Sequence, residues 1–178
     1  KDTESGVSPM SLPGQAGGQY TAEGLEHLPS GAPDFSAEMH SNNMRKRDRK
    51  MTAALEYIEQ HELWDIFGDA NAPVGIIGWG STIGPVREAV AQCADDGMPV
   101  HVFYPKALLP LPQKQIADFM ENKQTIIVPE MNFSGQLADI LRGIYLRPFV
   151  KLNRYGGVPF ETREIVKAIR EEYARLRR

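Results

Sequence analysis

From Trp64 onward the chain alternates short apolar runs with stretches of helical character, and this alternation constrains its fold more than any other feature. Five runs read as strands: WDIF at 64–67, GIIGW at 75–79, PVHVFY at 99–104, QTIIVP at 124–129 and FVKLN at 149–153. Helices are expected at 83–96, 113–121, 134–146 and 159–178. Pro85 falls in the first turn of the first of these, and Gly97 stops it. Successive strands joined through helices close as parallel neighbours, and the crossovers must cover both faces of the sheet. The expected architecture is a three-layer α/β/α sandwich on a mostly parallel sheet.

Upstream of the alternation the chain changes character. Residues 37–62 read as one helix with Ser36 as its N-cap and Glu38 in its first turn, where the helix dipole favours an acid. Met44, Met51, Leu55 and Ile58 share one of its faces. The basic run RKRDRK, Arg45 to Lys50, is broken by Asp48 and carries no interleaved aromatic residue, so it reads as a solvated face rather than a nucleic-acid patch. Residues 1–36, with PGQAGGQY and PSGAPDF, lack the apolar periodicity needed to order themselves alone. Two readings stand for them: a linker, or an extended arm lying on a partner surface. The opening KDTESGVSPM has no initiator Met, and the chain reads as a piece of something longer. The expected division is an arm at 1–36, a connecting helix at 37–62 and an α/β domain at 63–178.

Composition removes several classes of function. Of 178 residues, 42% are hydrophobic and 24% charged, with a formal net charge of −3, which directs the chain to neither nucleic acid nor a membrane surface. No apolar stretch is long enough to span a bilayer and no signal peptide is present, so a cytoplasmic protein is expected. The single cysteine, Cys93, excludes an internal disulfide framework and a cysteine-only metal or iron–sulfur site within this chain, and reads as a buried helix residue. His27, His40, His61 and His101 have no metal-ligand spacing. His27, in GLEH near Glu23 and Glu26, reads as an exposed loop histidine.

Two stretches hold candidate chemistry. VGIIGWGSTIGPVREAV, Val74 to Val90, resembles a strand, a glycine loop and a helix start, the arrangement that cradles phosphate at the carboxyl end of a parallel strand. Gly80, Ser81 and Thr82 are its candidate anion-binding residues. Its spacing is GxGxxxG, neither the dinucleotide GxGxxG nor a P-loop, and HVFYPK offers no acid to grip a ribose. A close-packed βα turn and a weak anion site both remain open. In VPEMNFSGQLADIL, Val128 to Leu141, Glu130 and Asn132 are expected just past a strand end, with Ser134 capping the next helix. These polar groups read either as ligand or subunit contacts or as loop and cap chemistry. The expected crevice has Ser81, Thr82, Glu130 and Asn132 on its walls, with the Glu130 carboxylate repelling anions.

GVSPMSLPG, GLEH, the helix carrying RKRDRK, GWGSTIGPVREAV, LLPLP, VPEMNFSGQL and LNRYGGVPFETREIVKAI occur in that order. Together they resemble the C-terminal part of the alpha subunit of 2-oxoacid:ferredoxin oxidoreductases, most closely the 2-oxoglutarate type, from about Gly6 to Ile169. Met10 departs from the arginine that usually follows GVSP, which bears on how the arm docks. The resemblance implies a transketolase C-terminal-like domain with WDIF as an antiparallel edge strand. It also implies an enzyme that joins a 2-oxoacid to coenzyme A, releases carbon dioxide and reduces ferredoxin with thiamine diphosphate. On that basis thiamine diphosphate and magnesium sit on the beta subunit, oxoacid-binding residues sit in an N-terminal part of the alpha subunit, and iron–sulfur clusters lie elsewhere. This chain then has no catalytic residue, cofactor or metal of its own. It assembles subunits and shapes the coenzyme A channel, with Glu130, Asn132, Gln136 and His27 as candidate interface residues. The alternative is a free-standing Rossmann-like nucleotide- or coenzyme-binding module.

Overall fold

The computed structural model describes residues 3–21 and 23–178; residues 1, 2 and 22 of the expected arm lie outside the described residues. The chain divides into two units, Lys1–His61 and Glu62–Arg178. In the first, helix α1 spans Ala37–Gln60. The Ser36 hydroxyl accepts from the Met39 amide at 3.2 Å, and the Asp34 carboxylate accepts from the Ser36 amide at 2.6 Å. Hydrogen bonding from the Ser36 hydroxyl first, and from its amide second, holds the Asp34 carboxyl below its ordinary range. The start of the arm lies along this helix. Lys46 donates to the Ser8 hydroxyl at 2.6 Å, and a side chain at Gly6 would come within 2.5 Å of the Lys46 carbonyl oxygen. Gly6 also has φ +74, so only glycine suits the approach.

The second unit is a five-stranded sheet of order β1-β3-β2-β4-β5, with β1 Trp64–Gly68, β2 Val74–Ile77, β3 Val100–Pro105, β4 Thr125–Glu130 and β5 Val150–Asn153. β1 runs antiparallel to β3 at one edge, as expected for WDIF, and every other pairing is parallel. The crossovers are α2 Ile83–Asp95, α3 Gln113–Met120 and α4 Gln136–Tyr145, and α5 Thr162–Leu176 follows the last strand. Buried side chains form two clusters, one with α2 and α5 and one with α3 and α4, so helices cover both sheet faces. β2 is buried at every position, which is why GIIGW reads as a continuous apolar run rather than an alternating one. Each such isoleucine contributes roughly 1.5–3 kcal/mol by leaving water.

Local signals set the element ends. Gly97, at φ +72, ends α2 with its amide bonded to the Ala94 carbonyl at 3.0 Å, while the Met98 amide reaches the Cys93 carbonyl at 2.8 Å. α5 opens with a reciprocal capping box between Glu161 and Glu164. Two expectations need correction here. The GIIGW strand ends at Ile77 rather than residue 79: the Gly78 amide still reaches the Phe103 carbonyl at 3.3 Å, and Gly80, at φ +62, turns the chain toward the next helix. Glu130 is not beyond a strand end: it is the last residue of β4 and pairs with Asn153.

Candidate functional site

The strand order places a crevice at one position. β3 lies on one side of β2 and β4 on the other, so successive connections reverse direction between β2 and β4. Parallel sheets bind ligands at such a reversal, beyond the carboxyl ends of the strands. The β2–β4 register ends at Ile76 and Ile127, and Pro129, which has no amide hydrogen to offer, pairs only with β5. Both candidate loops leave the sheet here, side by side, as the parallel strands required.

The loop after β2 is held from beneath by β3. Gly78 has no space for a side chain, since a Cβ would meet a Tyr104 ring carbon at 2.8 Å. Gly80, at φ +62, opens a 3-10 turn over Gly80–Thr82 that runs straight into α2. The Thr82 hydroxyl donates to the Trp79 carbonyl at 2.9 Å and lies 2.8 Å from the Tyr104 hydroxyl, which donates to the Gly80 carbonyl at 2.9 Å. Burial pushes the Tyr104 phenol up to about 12, against a smaller downward pull from the Thr82 bond. Thr82 is only 3% exposed, so the sequence expectation that it faces a ligand is corrected: its hydroxyl serves the turn itself. Gly80 and Ser81 remain at the surface.

The loop after β4 is organised by Glu130, which is 0% exposed. One carboxylate oxygen accepts from the Leu137 amide at 2.8 Å, the Asn132 side-chain amide at 3.0 Å and the Trp79 indole at 3.4 Å. The other accepts from the Ala138 amide at 3.1 Å. The Asn132 side-chain oxygen accepts from the Gly135 amide at 2.6 Å and, at 3.4 Å, from the Gln136 amide. Glu130 and Asn132 thereby satisfy the amides of Gly135, the N-cap, and of the first three residues of α4, which the helix cannot satisfy internally. A buried carboxylate at a helix N-terminus is also favoured by the dipole, by roughly 0.3–2 kcal/mol.

This geometry overturns two more expectations. Ser134 does not cap α4; Gly135, at φ +73, is the N-cap residue, and the capping oxygens come from Asn132 and Glu130. Glu130 does not line an open crevice and repel anions, because its charge points inward and is met by four donors. Gln136 is exposed at the first position of α4. His27 belongs to the first unit, exposed, with Nδ1 2.9 Å from the Leu28 carbonyl oxygen. Its neighbour Glu26 binds His40 and Arg47 instead, at 2.8 and 2.5 Å.

Sequence reasoning missed three residues of the site. Trp79 was assigned to a strand, yet its indole ties the first loop to the second. Tyr104 stitches the first loop, and Asn153, whose side-chain amide donates to the Phe133 carbonyl at 2.9 Å, anchors the second. An indole just past a buried strand was the available signal, since a buried Trp N–H needs an acceptor nearby. Among the described residues no three His, Cys, Asp or Glu side chains are grouped to hold a metal ion. The donor set at the crevice therefore does not fit magnesium and a diphosphate: its one carboxylate already caps a helix. No helix among the described residues is long and apolar enough to cross a membrane.

The class of protein is defined first by the fold. A split-gene transketolase in an inactive beta4 tetramer shares it, with a TM-score of 0.51 over 61% of this chain and 40% of that one, at 17% identity. A 2-oxoglutarate:ferredoxin oxidoreductase from Magnetococcus marinus, solved with 2-oxoglutarate, coenzyme A and succinyl-CoA bound, matches far more fully. There the TM-score is 0.78 and the identity 38%, over 97% of this chain and 30% of that one. A 2-oxoacid:ferredoxin oxidoreductase alpha subunit from Aeropyrum pernix is 30% identical over 168 residues, covering 94% of this chain and 26% of its own length. Residues 72–165 match the model of pyruvate:ferredoxin oxidoreductase core domain II, and the chain belongs to that family. It spans about a quarter of the length of the curated relatives it matches.

Proposed function

We propose that this chain is the non-catalytic C-terminal part of a 2-oxoacid:ferredoxin oxidoreductase alpha subunit, of the 2-oxoglutarate type, working in the cytoplasm. Its task is to join the other subunit segments and shape the path by which coenzyme A reaches a thiamine diphosphate centre carried elsewhere. The observation that carries this reading is the switch-point crevice, where a nucleotide fold would place its ligand. Here Trp79, Glu130 and Asn132 fill it with one another's hydrogen bonds. The Thr82 hydroxyl is likewise spent on its own turn. The match to the Magnetococcus oxidoreductase along nearly the whole chain supplies the kind of assembly, and its bound coenzyme A the kind of ligand channelled.

The test is reconstitution. The chain alone is expected to reduce no ferredoxin from 2-oxoglutarate and coenzyme A, and to give a flat calorimetric titration with thiamine diphosphate and magnesium. Adding the remaining alpha-subunit segment and a beta subunit is expected to restore turnover. Saturable thiamine diphosphate heat, or turnover by the chain alone, would overturn the proposal. Saturable coenzyme A heat without other subunits would favour a free-standing coenzyme-binding module, with Gly80 and Ser81 as the exposed part of its loop.

A further inference from the structure

The amino end of the sheet, at the opposite edge from the crevice, gathers titratable groups of its own. His101, near the start of β3, pairs with Gly68 on β1 and Gly75 on β2, so neither neighbouring strand sets a side chain beside its ring. The space over Gly75 is taken from above instead. A Cβ there would meet Phe119 Cζ at 3.2 Å and Lys123 Cγ at 3.3 Å. The His101 ring lies 4.8 Å from the Phe119 ring, and the Lys123 ammonium 5.7 Å from that same ring. Lys123 is only 5% exposed, and its ammonium donates to the Ala70 carbonyl at 2.7 Å and to the Asn122 side-chain oxygen. The Asn122 side-chain amide reaches the same Ala70 carbonyl at 2.9 Å, and the Gln124 amide reaches the Pro73 carbonyl at 2.8 Å. These bonds tie the loop at 69–73, between β1 and β2, to the segment that leads from α3 into β4.

Nδ1 of His101 is buried and has no hydrogen-bond partner among the described residues. A neutral ring suits that position best with its proton on Nε2 and a bare lone pair on Nδ1. An imidazolium carries a proton on both nitrogens, which sets an unmet donor in a buried place and a second cation near Lys123. Asp69, whose carboxylate accepts from the Asn71 amide at 2.9 Å, is the charged group that opposes this from the loop. Burial first, and Lys123 second, push the His101 imidazole below its ordinary 6.5, with Asp69 pulling the other way. We propose that His101 is the acid-sensitive part of a latch: neutral, it lets Lys123 and Asn122 hold the Ala70 carbonyl; protonated, it drives Lys123 off that carbonyl and frees the loop at 69–73. Above pH 6.5 the imidazole is neutral in the open and closed forms, and the latch has its full strength. Below it the open form takes up a proton that the closed form refuses, so closure weakens as pH falls. The latch belongs to the α/β unit and is independent of the oxidoreductase reading.

Native-state hydrogen exchange on the 178-residue chain, followed at low denaturant, tests it. After division by the intrinsic rate at each pH, the Ala72 and Gln124 amides should open through a fluctuation with little denaturant dependence. That opening should grow up to about tenfold for each pH unit below 6.5. Ile76 and Ile127 should open only with the strong denaturant dependence of the whole sheet. His101→Gln, which offers no titrating nitrogen, should abolish the rise in acid. In the unaltered chain the His101 ring protons, followed by magnetic resonance, should titrate with a midpoint below 6.5. A midpoint at or above 6.5 overturns the proposal, and so does opening that stays level below that pH. An acid rise retained in His101→Gln overturns it too, as do Ala72 and Gln124 amides that open only with the whole sheet.

Discussion

Glu130 is a charged side chain with no exposure, and its four donors come from both directions along the chain. Glu130→Gln keeps the shape but turns an NH2 toward groups that are themselves donors. It should cost about 1–3 kcal/mol for each amide left unmet. At this chain length that lowers the melting temperature by roughly 2–4 °C per kcal/mol. Because one of the donors is the Trp79 indole, tryptophan emission should shift as well. An unchanged melt and spectrum would show that the cap is dispensable. Gly78→Ala is expected to cost about 1–3 kcal/mol by pressing a methyl group into the Tyr104 ring, read by the same melt. None of this was legible in VPEMNFSGQL. A carboxylate after an apolar run ordinarily faces water. The partners that reverse this lie seven and eight residues ahead and fifty-one behind. The glycine loop was legible in outline, but Trp79 reads as one more apolar strand residue until its indole is given an acceptor.

Two elements carry tyrosines whose charge state reports on the fold. Burial raises Tyr104 on β3 and Tyr145 on α4, each from 10.0 to about 12. Below pH 10 both are neutral folded or unfolded, and their contribution is fully present. Between pH 10 and about 12 the unfolded chain loses these protons while the folded one keeps them, so stability falls as pH rises through that window. Denaturant midpoints measured across it should decline, and Tyr145→Phe should make the decline shallower. A Tyr145→Phe profile parallel to that of the original chain would contradict the assignment. The Tyr145 hydroxyl also donates to the Gln113 carbonyl at 2.8 Å, so some stability at neutral pH should go with it. The order and kind of these elements were read correctly from the apolar runs, because Gly97 and the prolines mark where periodicity changes. Their last residues were not, since Gly78 and Trp79 extend the apolar pattern of β2 past Ile77, its last paired residue.

At the scale of the molecule, both buried clusters of the α/β unit are built from residues at or after Trp64. A chain beginning at Glu62 is therefore expected to fold by itself, with a cooperative melt and the near-ultraviolet signature of packed aromatic side chains. Loss of that signature would show that the first unit is needed to form the core. The first unit is a different kind of object. Ile58 is the one large apolar side chain buried among its described residues, while Met10, Tyr20 and Phe35 stand open to water. This imbalance was visible beforehand in the Gly- and Pro-rich composition, which offers no repeating face to bury.

Glu130 reaches amides at fixed distances along the chain, so the segment from Met131 to Ser134 acts as a ruler. Ser134 is exposed and lends only its backbone carbonyl, to Lys151, so its identity is free to vary. The number of residues is not. One added or removed would carry Leu137 and Ala138 past the oxygens that await them and leave the opening turn of α4 bare. Related chains should therefore keep Asn132 and the length of this stretch, while the residue at Ser134 changes.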